Sequence, residues 1–298
     1  MSALVEPKVT VIVATRDRPA MLADVVASIM AGERVPDEIV VVDQSGVDEV
    51  AGLAAELADP RVRVLAGRGR GIASAMNQGL AEATHDVVLV THDDCTVDAG
   101  WVGAGQRLAA AHPGAIVTGR VLAPDGAAYV PSTKDDPRPH DYTGRVMSGV
   151  LYPANMVLDR IAVQAIGGFD ERPGMRVAGE DNDLCYRWLV GGRSFRYEPE
   201  LVVWHHDWRT PDKLVRTHIA YAHGQGAFYA KHLVTGDRRV LGMLWWDLRH
   251  GVRATARGLV RRQPRWQEPY REMVVSLLVG TARALPEAWR LRGDAPGT

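Results

Sequence analysis

The stretch VTVIVATRDRP (residues 9–19) decides the fold. Val9–Ala14 is a nearly continuous β-branched run, the pattern of a strand buried on both faces. It stops at Thr15-Arg16-Asp17-Arg18-Pro19. Here Asp17 is expected to cap a helix that has Pro19 in its first turn. Leu22, Val25, Val26 and Ile29 then follow helical spacing. Working outward, EIVVVD (38–43) is a second strand, 47–57 a short acidic helix and 61–65 a third strand. Gly67–Gly71, with glycine at alternate positions, is a loop. A helix through Met76, Asn77 and Leu80 follows, then strands at 86–91 and 115–122. This alternation predicts an α/β, Rossmann-like, mostly parallel sheet with helices on both faces.

Residues 123–146, rich in Pro, Gly and Asp, read as a long loop, which in a compact domain is usually functional or disordered. A strand is expected over 150–158, a helix near 160–166 and another over 180–190. Two short strands follow, 195–197 and 201–204, with Pro199 between them. After Pro211 only helical patterns remain, at 211–233, 239–262 and 269–291. The expected division is therefore a catalytic, nucleotide-binding domain over 1–210 and a C-terminal helical extension over 211–298.

Across 298 residues, 46% apolar and 24% charged, the composition is that of a globular protein and excludes a disordered chain or a disulfide-stapled miniprotein. The net charge of −1 hides an asymmetry. Residues 238–298 hold 12 Arg against 5 acids, while residues 1–237 carry a net −8. Arg249, Arg253, Arg257 and Arg261 form one row of a helix, which suits either a membrane surface or packing on the acidic body. The chain as a whole is not basic, so no nucleic-acid partner is expected. Cys95 and Cys185 lie in no metal or redox spacing and are expected as free thiols. No signal peptide and no membrane span are read, so a cytoplasmic protein is expected, with contact at the inner face of the membrane through the basic helices left open. An oligomer is compatible with all of this.

Several residues carry chemistry. Asp93 and Asp94, after His92, end a buried strand, the edge at which ligands bind in open α/β sheets. Hard carboxylate oxygens there suit Mg or Mn. Glu180, Asp181 and Asp183 crowd the first turn of a helix. The dipole explains one or two of them, and the third hints at a cation or a base. His205 and His206 follow the last strand, and one of them could ligate a metal. Arg70 in the glycine loop suits a phosphate. Asp43, at a strand end, suits a ribose or base.

The order of these segments resembles the family 2 inverting glycosyltransferases. The carriers are VTVIVATRDRP (9–19), DEIVVVDQSG (37–46), RGIASAMNQGL (70–80), VVLVTHDDCTVDAGW (87–101), IGGFDERP (166–173), GEDNDLCYRWLVGG (179–192) and FRYEPELVVWHH (195–206). The resemblance covers about residues 8–210 and implies a GT-A fold. It implies that Thr15 and Asp17 touch the nucleobase, that Asp43 holds base or ribose, and that Arg70 sits near the uracil or phosphate. Asn77 and Asp93 would join the substrate-binding set, and Trp204, lying near these motifs, offers an aromatic face that suits a sugar ring. Asp94 and His205 would hold a Mn or Mg ion. Asp181 would be the catalytic base, with Glu180 its rival. His92 replaces a common Asp, and Met76 replaces a common Arg. No Q-x-x-R-W segment follows the base, which argues for single transfers. The implied partners are a nucleotide-sugar donor, UDP-linked above dTDP or GDP, and a hydroxyl acceptor that is a glycan, a lipid-linked sugar or a small molecule. Rival readings are a sugar-1-phosphate nucleotidyltransferase, against which the glycine-free Ala14–Asp17 turn counts, a metal phosphoesterase, and a non-catalytic nucleotide-sugar sensor.

Overall fold

The computed structural model describes residues 6–46, 52, 55–127, 130–142, 153–206, 209–261 and 269–291. Most of the acidic helix expected over 47–57 lies outside them. The described residues form two compact units, Met1–Phe169 with Cys185–Asp207, and Asp170–Leu184 with Trp208–Thr298. Residues 170–184 thus group with the helical segments that follow.

In the first unit, β1 (Val9–Thr15), β2 (Glu38–Asp43), β3 (Val62–Ala66) and β4 (Val87–His92) are parallel, in the order β3-β2-β1-β4. Every residue of β1 and β2 is buried, as their unbroken apolar runs require. Beyond β4 the sheet becomes mixed. β8 (Met156–Asp159) runs antiparallel to both β4 and β6 (Ile116–Leu122), and β9 (Phe195–His205) runs parallel to β6. β5 (Cys95–Val97) and β7 (His140–Tyr142) pair antiparallel with β9. Helices α1 (Pro19–Met30), α2 (Ile72–Glu82), α3 (Trp101–Ala111) and α4 (Arg160–Ala165) accompany these strands. The stripe Leu22, Val25, Val26 and Ile29 of α1 is buried as its spacing predicts.

Two expectations change. Residues 123–146 are not loop throughout. β7 adds a strand there, with Tyr142 edge-on to Phe195, His140 stacked on Tyr197 at 4.9 Å, and Lys134 4.6 Å from the Tyr197 ring centre. Aromatic cross-strand pairs of this kind hold an edge strand that has no periodic signature. Nor does Pro199 interrupt the last strand. β9 runs through it, because the β6–β9 register slips between Gly119 and Arg120 and leaves Pro199 to Leu201 bulged out of the ladder. A Cβ on Gly119 would lie 2.1 Å from the Leu201 carbonyl oxygen, so the bulge needs glycine there.

Asn155, fully buried, closes that bulge. Its amide donates to the carbonyls of Arg120 at 2.7 Å and Leu201 at 2.8 Å, and its Oδ1 accepts from the Trp101 indole at 2.9 Å. Trp101 is therefore a core residue. Trp188 is also fully buried and donates to the Ser194 carbonyl at 2.7 Å.

The second unit contains the first turn of α5 (Glu180–Val190), then α6 (Pro211–Val234), α7 (Arg239–Arg261) and α8 (Tyr270–Arg290), close to the expected spans. Backbones approach closely in it: a Cβ on Gly226 would lie 2.3 Å from the Leu277 carbonyl oxygen, and one on Gly280 2.2 Å from that of His223. Among the described residues no helix is long and apolar enough to cross a membrane.

Asn155→Leu leaves three buried polar groups without partners, each costing about 1–3 kcal/mol. The expected loss is at least about 3 kcal/mol of unfolding free energy, read as a lowered urea midpoint at unchanged slope.

Candidate active site

β1 continues to β2 on one side of the sheet while β4 lies on the other, so the carboxyl ends of β1 and β4 flank a topological switch point. Register places Thr15 beside Asp43 and Ala14 beside His92 at that edge. Asp93 and Asp94 follow at once, and both are buried. The Thr15 hydroxyl donates to Asp93 Oδ2 at 2.7 Å. Arg18 reaches both carboxylates, with Nη2 2.9 Å from Asp93 Oδ1 and Nη1 donating to Asp94 Oδ2 at 3.2 Å. The Asp93 contact is close enough for an ion pair but is not aimed as a hydrogen bond, so Oδ1 has no donor among the described residues. β5, antiparallel to β9, sets Cys95 opposite His205 and brings His205 Nε2 to 3.6 Å from Asp94 Oδ2.

These surroundings push the two acids apart. Burial raises Asp93 to about 6, against the pull of Arg18 and the Thr15 hydroxyl. Burial also opposes ionisation of Asp94, but the neighbouring His205 ring, with His92 and Arg18, outweighs it and holds that carboxyl well below the usual range. Asp94 is thus the permanent anion of the pair.

A divalent cation fits Asp94 and His205. His205 Nδ1 lies 3.0 Å from the Pro131 carbonyl oxygen, which accepts only from a protonated Nδ1. With Nδ1 turned to that carbonyl, Nε2 faces Asp94 Oδ2 at 3.6 Å, a gap that either a proton or a cation bridges. Among the described residues no cluster of three or more acids, histidines or cysteines could hold a metal alone. A cation that also binds substrate phosphates needs only one or two protein ligands.

The other residues expected at the site are placed as follows. Asp43 is buried, and its Oδ1 accepts from the Ser45 amide at 2.9 Å and from its hydroxyl. Asp17 does not cap α1. It takes a left-handed φ of 56°, its amide donates to Ser45 Oγ at 2.7 Å, and Arg18 becomes the residue before the helix. Asn and Asp tolerate that conformation better than other side chains, so the turn explains the residue type. Gln44 fastens the glycine loop, donating to the Gly69 and Gly71 carbonyls and accepting from the Gly71 amide. Arg70 is exposed on that loop, and Trp204 is half-buried on β9. Asn77 is the exception to its expected role. Its amide donates to the Phe169 carbonyl and accepts from the Phe169 amide, both at 2.8 Å, so it ties α2 to the Gly167-Gly168 turn.

In the second unit, α5 opens with Glu180, Asp181 and Asp183. Gly179 enters it at φ 97°, and a Cβ there would lie 2.7 Å from the Gly224 carbonyl oxygen. The three acids have different fates. Asp183 is fully buried and accepts from Lys231 Nζ at 2.6 Å and His232 Nε2 at 2.8 Å, while Lys231 also lies 2.6 Å from Asp170. Glu180 is buried, its Oε2 has no hydrogen-bond partner among the described residues, and burial with the charges of Asp181 and Asp183 lifts its pKa well above normal. Asp181 is half-buried and Oδ1 accepts from the Asn182 amide at 2.8 Å. Burial raises its pKa, and backbone donors work against the rise. Arg18, Ser45, Lys231 and His232 escaped the sequence reading. Only the TRDRP turn hinted at one of them.

Residues 10–153 match the description "Glycosyl transferase family 2". The matched segment, just under half of the chain, is similar to this family along its length. The pre-mycofactocin glycosyltransferase of Mycobacterium tuberculosis is 30% identical over 154 residues, covering 47% of this chain and 31% of that protein. The chain spans about a third of the length of the curated relatives it matches. Among solved structures, a mannosyltransferase from Pyrobaculum calidifontis in complex with GDP-Man and Mn2+ superposes with a TM-score of 0.51 at 19% identity, over 99% of this chain and 77% of that one. S. aureus TarS 1–349 in complex with UDP-GlcNAc gives 0.54 at 13% identity, over 96% and 90%. These likenesses establish the GT-A fold.

Lys231→Met leaves Asp183 and Asp170 without their shared cation. Removing one partner of a buried pair costs about 3–5 kcal/mol. Unfolding followed by far-ultraviolet circular dichroism is expected to show a loss of about 3 kcal/mol, largely restored in Lys231→Arg.

Proposed function

We propose that this chain transfers a sugar from a nucleoside-diphosphate-sugar donor, UDP-linked above dTDP or GDP, to a hydroxyl acceptor, one sugar per cycle and with inversion. The observation that carries the reading is the convergence of Asp93, Asp94, Thr15, Arg18 and His205 on the sheet's switch point in a chain similar to this family. Similar folds crystallised with GDP-Man and Mn2+ and with UDP-GlcNAc support a sugar-nucleotide donor.

Thr15, Asp17 and Asp43 contact base and ribose, and Arg70 approaches the uracil or phosphate. Asp94 and His205 would hold a Mn or Mg ion, and such an ion would offset the charge developing on the diphosphate leaving group. Arg18, already seated on both carboxylates, adds a second positive charge at the same edge.

Asp181 accepts the proton of the acceptor hydroxyl as its oxygen attacks the anomeric carbon opposite the leaving diphosphate. A general base must start ionised and reachable. Asp181 is half-buried with backbone donors on its carboxyl, whereas Glu180 is buried, unpartnered at Oε2 and pushed further toward its neutral form. That contrast favours Asp181. One displacement inverts the anomeric centre. The catalytic set lies in residues 1–210, with 211–298 as a helical extension.

Asp181→Asn is expected to lower transfer by about 10²-fold or more, measured with whichever donor of a UDP-, dTDP- and GDP-sugar panel reacts fastest. Donor affinity by calorimetry should not change. Because burial raises the Asp181 pKa and the ionised form is the active one, the wild-type rate should fall on the acid side around an apparent pKa above the ordinary 3.8. A variant as fast as wild type removes Asp181 from the role. Asp94→Ala is expected to abolish the gain in UDP affinity that Mn confers on the wild type. Equal Mn enhancement in both proteins would remove Asp94 from the metal site.

A further inference from the structure

α7 carries apolar side chains on two faces. One face packs, with Val240, Met243, Gly251 and Ala254 buried and the Tyr229 hydroxyl donating to Asp247 at 2.6 Å. The other does not. Leu241, Trp245, Val252 and Leu259, spaced by four, seven and seven residues, share one helical stripe and are 48%, 65%, 59% and 78% exposed. The exposed Arg249, Arg253, Arg257 and Arg261 stand one turn apart in a row that begins beside that stripe at Arg249 and drifts around the helix away from it. Trp246, Arg249, His250, Arg253, Ala256 and Arg257 line an open groove of about 550 Å³, in which the Trp246 and His250 rings stack at 5.1 Å. Like charges four residues apart repel each other along a helix, so the row is held together against its own electrostatics.

We propose that this face of α7 docks in the plane of an anionic lipid bilayer. Leu241, Trp245, Val252 and Leu259 enter the boundary between headgroups and acyl chains, and the arginines at the near end of the row, Arg249 first, reach lipid phosphates with their long side chains. Charge complementarity selects this occupant. Guanidinium groups match phosphate oxygens in a fork, and an anionic surface relieves the repulsion within the row. A second copy of the chain would bring one Arg row near another. An acidic protein surface would satisfy the arginines and leave the apolar stripe in water. A basic amphipathic helix with Trp and Leu on its apolar face is the form that lies on a membrane, and α7 is not apolar enough to cross one. The proposal does not depend on the sugar-transfer reading.

The test is co-sedimentation of the full chain with phosphatidylcholine vesicles and with vesicles of about 3:1 phosphatidylcholine to phosphatidylglycerol. Partitioning onto the anionic vesicles is expected to be at least about tenfold stronger and to weaken with added salt. Arg249→Gln/Arg253→Gln/Arg257→Gln should lower it by about a hundredfold, at roughly fivefold per charge. Trp245→Ser/Leu259→Ser should lower it by about tenfold with an unchanged circular dichroism spectrum. The proposal fails if the chain stays in the supernatant, if both vesicle types bind equally, or if either variant binds like wild type. It also fails if poly-aspartate binds as tightly as the anionic vesicles, or if the Trp245/Leu259 substitutions dissolve a dimer that binds no vesicles.

Discussion

Two neighbouring carboxylates, Asp93 and Asp94, are buried where β4 ends, and the arrangement of the sheet edge follows from the need to hold them. An isolated buried carboxylate is strongly disfavoured, so such groups are paired or neutralised. Here both remedies operate. Asp94 stays anionic under Arg18 and His205, while Asp93, with one oxygen on Thr15 and the other lacking a donor, moves toward its neutral form. One residue thus supplies a permanent negative charge and its neighbour an adjustable one. Each partner comes from a different element: Thr15 from the end of β1, Arg18 from the turn into α1, His205 from the end of β9. The parallel order that places β1 next to β4, and the antiparallel β5–β9 pair that delivers His205, are the conditions for that meeting.

The first turn of α5 solves a similar problem differently. Three carboxylates in one turn gain from the helix dipole but repel one another. Asp183 is removed from the competition by Lys231 and His232 of α6, and Glu180 is pushed toward neutrality by burial beside charged neighbours. Asp181 is left as the acid with partial access to solvent and a backbone donor on its carboxyl. The same α6 segment that neutralises Asp183 meets 170–184 through glycine backbone, at Gly179 and Gly224. Small residues and buried ion pairs together explain why this stretch groups with the helices that follow and not with the sheet.

Much of this was legible in the chain itself. β2 falls on the predicted residues, the four strands of the parallel half were each placed within a residue or two, and the three long helices were found from periodicity. The acids of the candidate site were found because they stand at the ends of recognisable elements. Three-residue strands such as β5 and β7 were missed, since three residues hold no period and their pairing depends on β9. Pro199 misled for the same reason: a bulge that tolerates proline exists only where Gly119 and Asn155 of other strands make room and supply donors. Asn77 read as a ligand because its segment fits the family pattern, while its amide serves the Phe169 backbone.

Local pattern was enough for most of the strands and helices, for the parallel array of β1 to β4, and for which acids stand at element ends, because burial periodicity and turn chemistry act over a few neighbouring residues. Only the tertiary structure decided which charge each acid carries and what holds it. Arg18 on Asp93 and Asp94, His205 beside Asp94, and Lys231 on Asp183 join residues far apart in the chain, and Arg18 does so from a turn of unforeseen shape. A carboxylate's ionisation follows from burial and from the nearest opposite charge, and both are properties of the folded neighbourhood.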